Sequence, residues 1–502
     1  MSSDVALDKR VKQALEALQQ GQPSRTRQIC HRLLKENPKD FNALQLQAMA
    51  LRREGKQQAA VPYFERAAGV APTPALRHSM MMQQARCLEE AGQAGESLEL
   101  LDCLLQENMA FLPALYAKGQ LLRYRGEEQK ALECFKQVVF HPPAMAGEAE
   151  LERAGAHWYI LTSPRLKPLA EDIEMAIRDL DWIEDVDARS LLLFAIYNGQ
   201  ERRGEHERAW TNLKAANELI WEQVAFPLNR LKTVRDSVLL EIENNPVREP
   251  MIDNPVRLGF ICGLPRSGTT LVESVLMEHP EVETLGESVI VSDVFKRFYP
   301  DDRVLDDSGH YDRGTLQQFA RQLDKRLFAN VVSAPALLLE KTPNNFYAIN
   351  QLLQVFSNIR FVVTVKSPRE ACFSLFRQNF EKKHLIAYSY DLAATVLQYR
   401  VQEQIVNRLA ALYPGQVRWL HYEELVQEGD RIWPELFDFL GLEWDPAFLG
   451  FQGSGRTVRT ISASQVREGI NDKYLSRTER YGPILHELDA LLERSVEELA
   501  AL

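Results

Sequence analysis

The stretch LGFICGLPRSGTTLVESVLM, residues 258–277, decides the fold of the C-terminal half. It opens with a short apolar run, residues 258–262, which has the length of a buried parallel strand. A loop with glycine at both ends follows, and from Thr269 onward apolar residues recur at helical spacing. A strand, a glycine-bearing loop and a helix together form an anion cradle, because loop N–H groups and the helix N-terminus converge on one point.

This loop differs from a nucleotide-binding P-loop at one informative position. Gly263 and Gly268 keep the spacing of the G-x-x-x-x-G-K-[ST] pattern, but Thr269 replaces the lysine that reaches the outer phosphates of a triphosphate. The replacement argues against ATP or GTP as the ligand and therefore against a nucleotide kinase. The positive charge lies inside the loop instead, at Arg266.

Composition limits the classes of protein that need to be considered. A chain of 502 residues predicts two or more domains, and its net charge of −11 argues against a nucleic-acid partner. Its first residues lack a signal-peptide core, and no apolar run reaches about 18 residues. The six cysteines show no metal-ligand spacing. We therefore expect a cytoplasmic protein with reduced thiols and no membrane contact.

The N-terminal half shows a repeat. Gly21, Gly55, Gly92 and Gly126 are spaced by 34, 37 and 34 residues, and small and aromatic residues follow them at matching offsets. This pattern resembles the tetratricopeptide repeat, a helix–turn–helix of 34 residues, over residues 10–142. Residues 143–195 fit less well and predict an irregular segment that leads into a helix. The pattern returns near Gly204 as a final repeat.

These patterns predict a tetratricopeptide-repeat helical domain of residues 1–243, a turn-rich linker of residues 244–254 and a second domain of residues 255–502. The groove of such an array is typically a binding surface for an extended peptide or a partner helix. The alternative is that the array only supports the second domain or a contact in a homodimer.

Two more strand-like runs lie in the second domain. Residues 336–340 precede Lys341, and residues 359–365 precede Lys366. Strands that alternate with helices predict a parallel sheet with helices on both faces, and ligands of such sheets bind beyond the carboxyl ends of the strands. We therefore expect the cradle, Lys341 and Lys366 at one edge of a P-loop-like α/β domain.

The motif PRSGTT after a strand resembles the 5′-phosphosulfate loop of sulfotransferases, which use 3′-phosphoadenosine 5′-phosphosulfate (PAPS). Within that family the chain is most similar to protein-tyrosine sulfotransferases and to bacterial sulfotransferases with tetratricopeptide repeats. The resemblance covers about residues 255–485. It implies a donor site made of Arg266, Ser267, Gly268, Thr269, Thr270, Lys366, Ser374, Tyr422, Gln465, Asn471 and Arg477.

The implied clamp for the 3′-phosphate departs from the family pattern. Lys366 stands where the family has an arginine, with Ser374 eight residues further on, so the charge is kept but the two-pronged guanidinium is lost. Arg369 lies close by in sequence and is a candidate to share this role. The position of another family arginine is taken by Gln378, with Arg377 beside it.

The resemblance also implies the catalytic residues. Glu287, in a Gly-Glu pair 21 residues beyond Arg266, takes the place of the family's general base, and a carboxylate suits a phenolic acceptor. Lys341 corresponds to the lysine at the leaving oxygen, Ser462 to a serine that stabilises the transition state, and Arg266 to the loop cation. His279 is the alternative base.

The prediction from sequence is a PAPS-dependent sulfotransferase that acts on a hydroxyl, with tyrosine of a protein or peptide as the leading acceptor. We expect no metal, because no carboxylate cluster suggests Mg²⁺. The alternative enzyme acts on a carbohydrate or a small molecule. An alternative of another class is a repeat-based binding scaffold whose sulfotransferase domain is inert.

Overall fold

The computed structural model describes residues 9–141, 149–224, 226–247, 249–298, 310–329, 331, 335–381, 383–453, 475 and 477–502. The chain divides into two compact units, Met1–Ala216 and Asn217–Leu502, called here the repeat unit and the sheet unit. These units describe packing, and the domain limits predicted at residues 243 and 255 remain predictions.

The repeat unit is built from helices joined by short turns. Phe64 and Phe135, which the repeat pattern places between paired helices, are fully buried. Gly119 gives the Phe135 ring its room, since a Cβ at Gly119 would lie 2.8 Å from the ring. The helices that begin in this unit are Lys9–Gln19, Pro23–Glu36, Phe41–Arg53, Gln57–Gly69, Pro74–Glu90, Ala94–Glu107, Leu112–Tyr124, Glu128–Phe140, Glu150–Thr162, Ala170–Asp179, Val186–Arg202 and His206–Val224.

The turns between paired helices have one backbone geometry. Gly55 and Gly126, for example, have φ angles of +73° and +79°. This left-handed conformation is the usual way to end one helix and begin the next, and glycine adopts it without steric cost. The predicted helical repeat array is confirmed.

The prediction of an irregular segment within residues 143–195 is partly wrong. Helices Glu150–Thr162, Ala170–Asp179 and Val186–Arg202 occupy most of it, while residues 142–148 lie outside the described part of the chain. The apolar periodicity fails here because several buried positions carry charged or polar side chains, among them Arg153, His157 and Asp179.

These three residues form a buried ionic cluster. The Asp179 carboxylate lies 2.5 Å from Arg153 Nε and 2.7 Å from His157 Nε2. Arg153 also donates to the carbonyl oxygens of Val138 and His141. Burial lowers the pKa of His157, while hydrogen bonds from His157 and Arg153 outweigh burial and lower the pKa of Asp179. Charged residues thus perform a packing role that a hydrophobic pattern does not reveal.

The described residues of the sheet unit form a sheet of five parallel strands in the order β2-β3-β1-β4-β5. The strands are β1 (Arg257–Gly263), β2 (Val282–Thr284), β3 (Leu337–Glu340), β4 (Ile359–Val365) and β5 (Val417–His421). β1 pairs with both β3 and β4, so the glycine-bearing loop leaves the middle of the sheet. The predicted parallel α/β fold is confirmed.

Helices surround this sheet. The Thr269–Leu276 helix packs Leu271, Val272 and Val275 into a core that also holds Ile261 of β1. The α-helices are Leu228–Asn244, Thr269–Leu276, Ile290–Phe298, Arg313–Leu327, Ile349–Val355, Pro368–Phe376, Leu392–Leu412, Tyr422–Gln427, Gly429–Leu440, Arg477–Tyr481, His486–Leu492 and Val496–Ala500. Short 3₁₀ helices are Pro343–Ala348, Lys383–Leu385, Ala387–Tyr390, Pro446–Gly453 and Gly482–Leu485. Among the described residues, no helix is long and apolar enough to cross a membrane.

One buried carboxyl lies in the interior of the sheet unit. Glu241 is 3% exposed, and it accepts hydrogen bonds from Gln351 Nε2 at 2.7 Å and from the Tyr311 hydroxyl. Burial raises the pKa of Glu241 to about 8. A carboxyl whose pKa is higher in the folded state than in the unfolded state stabilises the protein fully only at low pH, and that stabilisation is lost as pH rises through the folded pKa.

We therefore expect Glu241→Gln to become progressively more stable than the wild type between pH 5 and pH 8.5. The glutamine amide still has an oxygen that accepts the hydrogen bond from Tyr311. It does not ionise, so no charge has to be buried as pH rises. The Oε1 atom of Gln351 has no hydrogen-bond partner among the described residues, so a flip of that amide offers the new NH₂ an acceptor. Thermal midpoints measured across this pH range check the prediction. Parallel pH curves for the two proteins would contradict it.

Candidate functional site

The loop after β1 is anchored on the neighbouring strand β4. Gly263 has a φ of +137°, and a Cβ there would lie 2.3 Å from the backbone oxygen of Thr364. The Ser267 and Thr364 hydroxyl oxygens are 2.6 Å apart. Arg266 has a φ of +72°, a strained conformation for a residue with a side chain. The loop is therefore held tightly, with its strained residue at the predicted anion-contacting position.

The end of the loop packs against the residue that follows β5. A Cβ at Gly268 would lie 2.6 Å from the Tyr422 ring, so only glycine allows this approach. Lys366 Nζ lies 4.4 Å from the centre of the same ring. Tyr422 thus contacts both the end of the loop and Lys366, which it holds by a cation–π contact.

Cationic side chains from distant parts of the sequence line one cleft. The residues that line the cleft are Arg266, Lys366, Glu370, Phe373, Ser374, Arg377 and Arg477. Four of these side chains are cationic and one is acidic. Burial, and then the charge of Arg266, lowers the pKa of Lys366 to about 8. This balance of charge fits an anionic ligand.

The carboxylate in the cleft is already engaged. Glu370 Oε1 accepts hydrogen bonds from the backbone N of Thr478 at 2.7 Å and from its hydroxyl at 2.6 Å. Thr478 follows Arg477 directly, so Glu370 fixes the short helix that carries this arginine. Sequence reasoning missed Glu370 because an acidic residue in the first turn of a helix is commonplace.

The structure revises what the sequence suggested for Arg369 and for the pair Arg377 and Gln378. Arg369 does not line the cleft and instead forms an ion pair with Asp489, with nitrogen-to-oxygen distances of 2.7 and 3.0 Å. Gln378 donates to the carbonyl oxygen of Asn379, whereas Arg377 lines the cleft. Arg377, which directly follows the Pro368–Phe376 helix, thus brings a guanidinium to the cleft that Gln378 does not.

The predicted base and the predicted lysine are in direct contact. Lys341 follows β3, and its Nζ lies 2.5 Å from Glu287 Oε1 and 3.6 Å from Glu273 Oε2. The side chain of Lys341 is 1% exposed, while that of Glu287 is 53% exposed. A buried ammonium thus faces a carboxylate that is open to an incoming group. Glu273, which sequence reasoning missed, belongs to the helix of the anion loop.

The turn that carries Glu287 is tied to the sheet. Glu273 Oε1 accepts from the Thr284 hydroxyl at 2.8 Å, and the Thr284 oxygen accepts from Gly286 N at 3.0 Å. The backbone N of Lys341 donates to the Gly286 carbonyl at 2.9 Å. The family resemblance implied Glu287 and Lys341 as site residues but neither their contact nor these supports, because hydrogen bonds between strand ends follow from register.

The other predicted site residues divide into two groups. Thr269 and Thr270 are buried in the first turn of the helix after the loop. Ser462, Gln465 and Asn471 lie outside the described residues, and their roles remain predictions.

The alternative base, His279, has an apolar environment. Its ring is 5.5 Å from that of Phe448, and its Nδ1 accepts from the backbone N of Glu281 at 3.2 Å. It is 7% exposed. These contacts favour a structural role, while Glu287 is the more accessible of the two candidates. Within the described part of the chain, no group of three or more His, Cys, Asp or Glu residues is arranged to hold a metal ion.

Comparison with known proteins matches one segment of each unit to a family model. Residues 260–446 match the model of the sulfotransferase family, and residues 41–74 match that of the tetratricopeptide repeat. The two resemblances expected from the sequence are confirmed. The chain thus combines a sulfotransferase-family segment with a tetratricopeptide-repeat segment.

Similar proteins include an uncharacterised protein of Aquifex aeolicus, 24% identical over 441 residues. This alignment covers 83% of the chain and only 55% of that protein, so the chain spans about half the length of this relative. A putative protein-tyrosine sulfotransferase of Caenorhabditis briggsae is 24% identical over 45% of the chain and 82% of its own length. Protein-tyrosine sulfotransferase 1 of Danio rerio is 24% identical over 43% of the chain and 64% of its own length.

Solved structures with some similarity include the sulfotransferase domain of the Synechococcus PCC 7002 olefin synthase. It has a TM-score of 0.31 and 16% identity, and the alignment covers 51% of the chain and 97% of that domain. A tetratricopeptide repeat protein of Parabacteroides merdae has a TM-score of 0.27 and 16% identity, with coverage of 42% and 92%.

Proposed function

We propose that this protein is a PAPS-dependent sulfotransferase that transfers a sulfuryl group to tyrosine hydroxyls of a protein or peptide. The observation that carries the proposal is the cleft beside the β1 loop, where Arg266, Lys366, Arg377 and Arg477 meet. These four cations come from the loop, from the end of β4, from the end of a helix and from the C-terminal region. Such convergence suits a ligand with several phosphate charges.

The residues present fit the donor. Lys366 and Ser374, the predicted clamp for the 3′-phosphate, line the cleft together with Arg266 of the predicted 5′-phosphosulfate loop. Arg377 supplies a guanidinium that compensates for lysine at position 366. When bound, PAPS supplies the activated sulfuryl group. Every other part of the chemistry then falls to side chains of this chain.

On the acceptor side, Glu287 accepts the proton of the attacking hydroxyl. Its carboxylate is half exposed, as a base that meets a large acceptor must be. Lys341 places a buried positive charge beside it, and Glu273 retains that ammonium when Glu287 becomes neutral. Positioning and charge stabilisation supply the rate, as they do in phosphoryl transfer.

The acceptor is a protein because the chain combines a sulfotransferase segment with tetratricopeptide repeats, which characteristically bind peptides and partner helices. The relatives named as protein-tyrosine sulfotransferases favour tyrosine. All six cysteines are free thiols, five of them buried, which supports a cytoplasmic location.

Two measurements test this proposal. The product 3′-phosphoadenosine 5′-phosphate should raise the thermal midpoint, whereas ATP with Mg²⁺ should raise it far less; a ligand at about 100 times its Kd adds about 2.7 kcal/mol. Incubation with radiolabelled PAPS and a cell extract should label protein at tyrosine. Label on carbohydrate or a small molecule would support the alternative enzyme. Equal shifts with ATP would favour a kinase, and binding without any transfer would favour an inert scaffold.

Lysine and arginine at position 366 should give different pH dependences of affinity for 3′-phosphoadenosine 5′-phosphate. The pKa of Lys366 is lowered to about 8, so its positive charge is lost as pH rises through that value. We expect the affinity of the wild type for 3′-phosphoadenosine 5′-phosphate to fall between pH 7 and pH 9.5, and that of Lys366→Arg to fall less, because guanidinium stays charged. Titration calorimetry at several pH values checks this. The same pH slope in both proteins would exclude Lys366 as the titrating group.

A further inference from the structure

Glu340, the last residue of β3, is a buried carboxyl surrounded by hydrogen-bond donors. It is 2% exposed. Its Oε1 accepts from the Ser288 hydroxyl at 3.0 Å and from the Thr342 hydroxyl at 2.5 Å. Its Oε2 accepts from Asn345 Nδ2 at 2.6 Å and from the backbone N of Thr342 at 3.2 Å. A carboxylate that accepts four hydrogen bonds is fully satisfied in spite of its burial.

The donors come from the two segments that carry the candidate catalytic pair. Ser288 directly follows Glu287, and Thr342 directly follows Lys341. The Thr342 hydroxyl also lies 3.0 Å from the Ser288 carbonyl oxygen, so its proton is shared between that oxygen and Glu340. Glu340 therefore joins the turn that carries Glu287 to the end of β3 by side-chain hydrogen bonds.

The same two segments are also joined through their backbones. Lys341 N donates to the Gly286 carbonyl oxygen at 2.9 Å, and Leu285 N donates to the Leu339 carbonyl oxygen at 2.8 Å. These bonds fix the spacing of the segments but not the side-chain directions beyond them. The hydrogen bonds to Glu340 act on the residues immediately after the base and the lysine, where they limit rotation of both.

We propose that Glu340 is a positioning residue that holds Glu287 and Lys341 in register for proton removal from the acceptor. This inference rests on the proposed sulfotransferase function. All four partners donate to Glu340, two as N–H groups at Oε2 and two as hydroxyls at Oε1, which can also accept. Glutamine has the same shape, but its NH₂ group in place of Oε1 makes the Ser288 and Thr342 hydroxyls turn their protons away, so Glu340→Gln removes their hydrogen bonds to the carboxylate without creating a cavity.

The experiment measures kcat on a series of phenols of graded acidity. The variants are Glu340→Gln and the milder Ser288→Ala, which removes one donor and leaves the carboxylate in place. The matched control is Glu241→Gln, another buried carboxyl of the sheet unit, whose hydrogen bonds are made with Tyr311, Asn350 and Gln351. Affinity for 3′-phosphoadenosine 5′-phosphate and the thermal midpoint are measured for each protein.

We expect kcat of Glu340→Gln to fall about 10- to 100-fold on phenols as weakly acidic as tyrosine, because small misplacements of reacting groups are costly. The loss should shrink on more acidic phenols, which depend less on the base. Ser288→Ala should show a smaller loss with the same trend. Donor affinity should change little in both variants, and Glu241→Gln should keep wild-type kcat.

The outcomes separate the two proposals. A loss of equal size on every phenol, or unchanged kcat in both folded variants, would overturn the positioning role while transfer by the wild type leaves the proposed function standing. Absence of transfer by the wild type to any phenol or protein, with donor product bound, would overturn the proposed function and with it the role of Glu340.

Discussion

Replacing Glu287 with glutamine is expected to lower sulfuryl transfer about 10²- to 10⁴-fold, the usual contribution of a general base. Glutamine keeps the shape of the side chain and an oxygen for Lys341, but it cannot accept the acceptor's proton at neutral pH. Affinity for 3′-phosphoadenosine 5′-phosphate should change little, because the cleft proposed to hold its phosphates is lined by other residues. Steady-state kinetics together with titration calorimetry measure both quantities.

Two control variants test whether a loss of turnover is specific to Glu287. Glu281→Gln neutralises an exposed carboxylate just before β2 and should leave turnover unchanged. His279→Ala should reduce stability through its aromatic contacts but keep most of the turnover per folded molecule. Normal turnover in Glu287→Gln combined with loss in His279→Ala would move the base to His279 and favour a small-molecule acceptor.

Replacing Gly263 with alanine is expected to cost the protein at least about 100-fold in donor affinity. The new Cβ would lie 2.3 Å from the Thr364 backbone oxygen, and no flexible side chain can yield at that point. Either β4 or the loop must move; the loop carries Arg266 and β4 leads directly into Lys366, both residues of the proposed donor site. Because the loop N–H groups act together on one anion, their displacement removes several charge-assisted hydrogen bonds at once. Titration calorimetry with 3′-phosphoadenosine 5′-phosphate measures the loss.

Gly482→Ala is the matched control for backbone strain. Gly482 belongs to the same unit and has a φ of +48°, but a Cβ there would have no atom within 4 Å. Its replacement should lower stability modestly and leave donor affinity near that of the wild type. Equal losses in the two variants would mean that strain alone, and not the clash with β4, weakens the site.

The sequence was most informative where function depends on local order along the chain. The anion loop, the five-residue offset of its glycines and the lysines after β3 and β4 are all local patterns, and parallel pairing then brings the strand ends to one edge. Repeat helices were equally legible, because glycine turns recur at a fixed period. The fold class was therefore predictable, and so was the position of the loop and these two lysines at one edge of the sheet.

The supports of the site were not predictable in the same way. Glu340 bonds Ser288 from 52 residues away, and Glu370 bonds Thr478 from 108 residues away. Such contacts depend on strand register and loop path, which no short-range pattern encodes. The same reason explains Arg369, whose position beside Lys366 in sequence suggested an anion contact. Its guanidinium instead meets Asp489, which is 120 residues further along the chain.

The buried cluster of Arg153, His157 and Asp179 constrains how the repeat unit can change over many generations of mutation. Loss of any one member strands a charge or a polar group inside the protein, while a coordinated change of all three to apolar residues of similar volume is often neutral or favourable. A single substitution at any of these positions therefore lowers the stability of the protein, although a stable variant with all three positions changed exists. Mutation of one residue at a time therefore tends to preserve the cluster. A library of combined substitutions would contain stable sequences that a scan of single substitutions would reject.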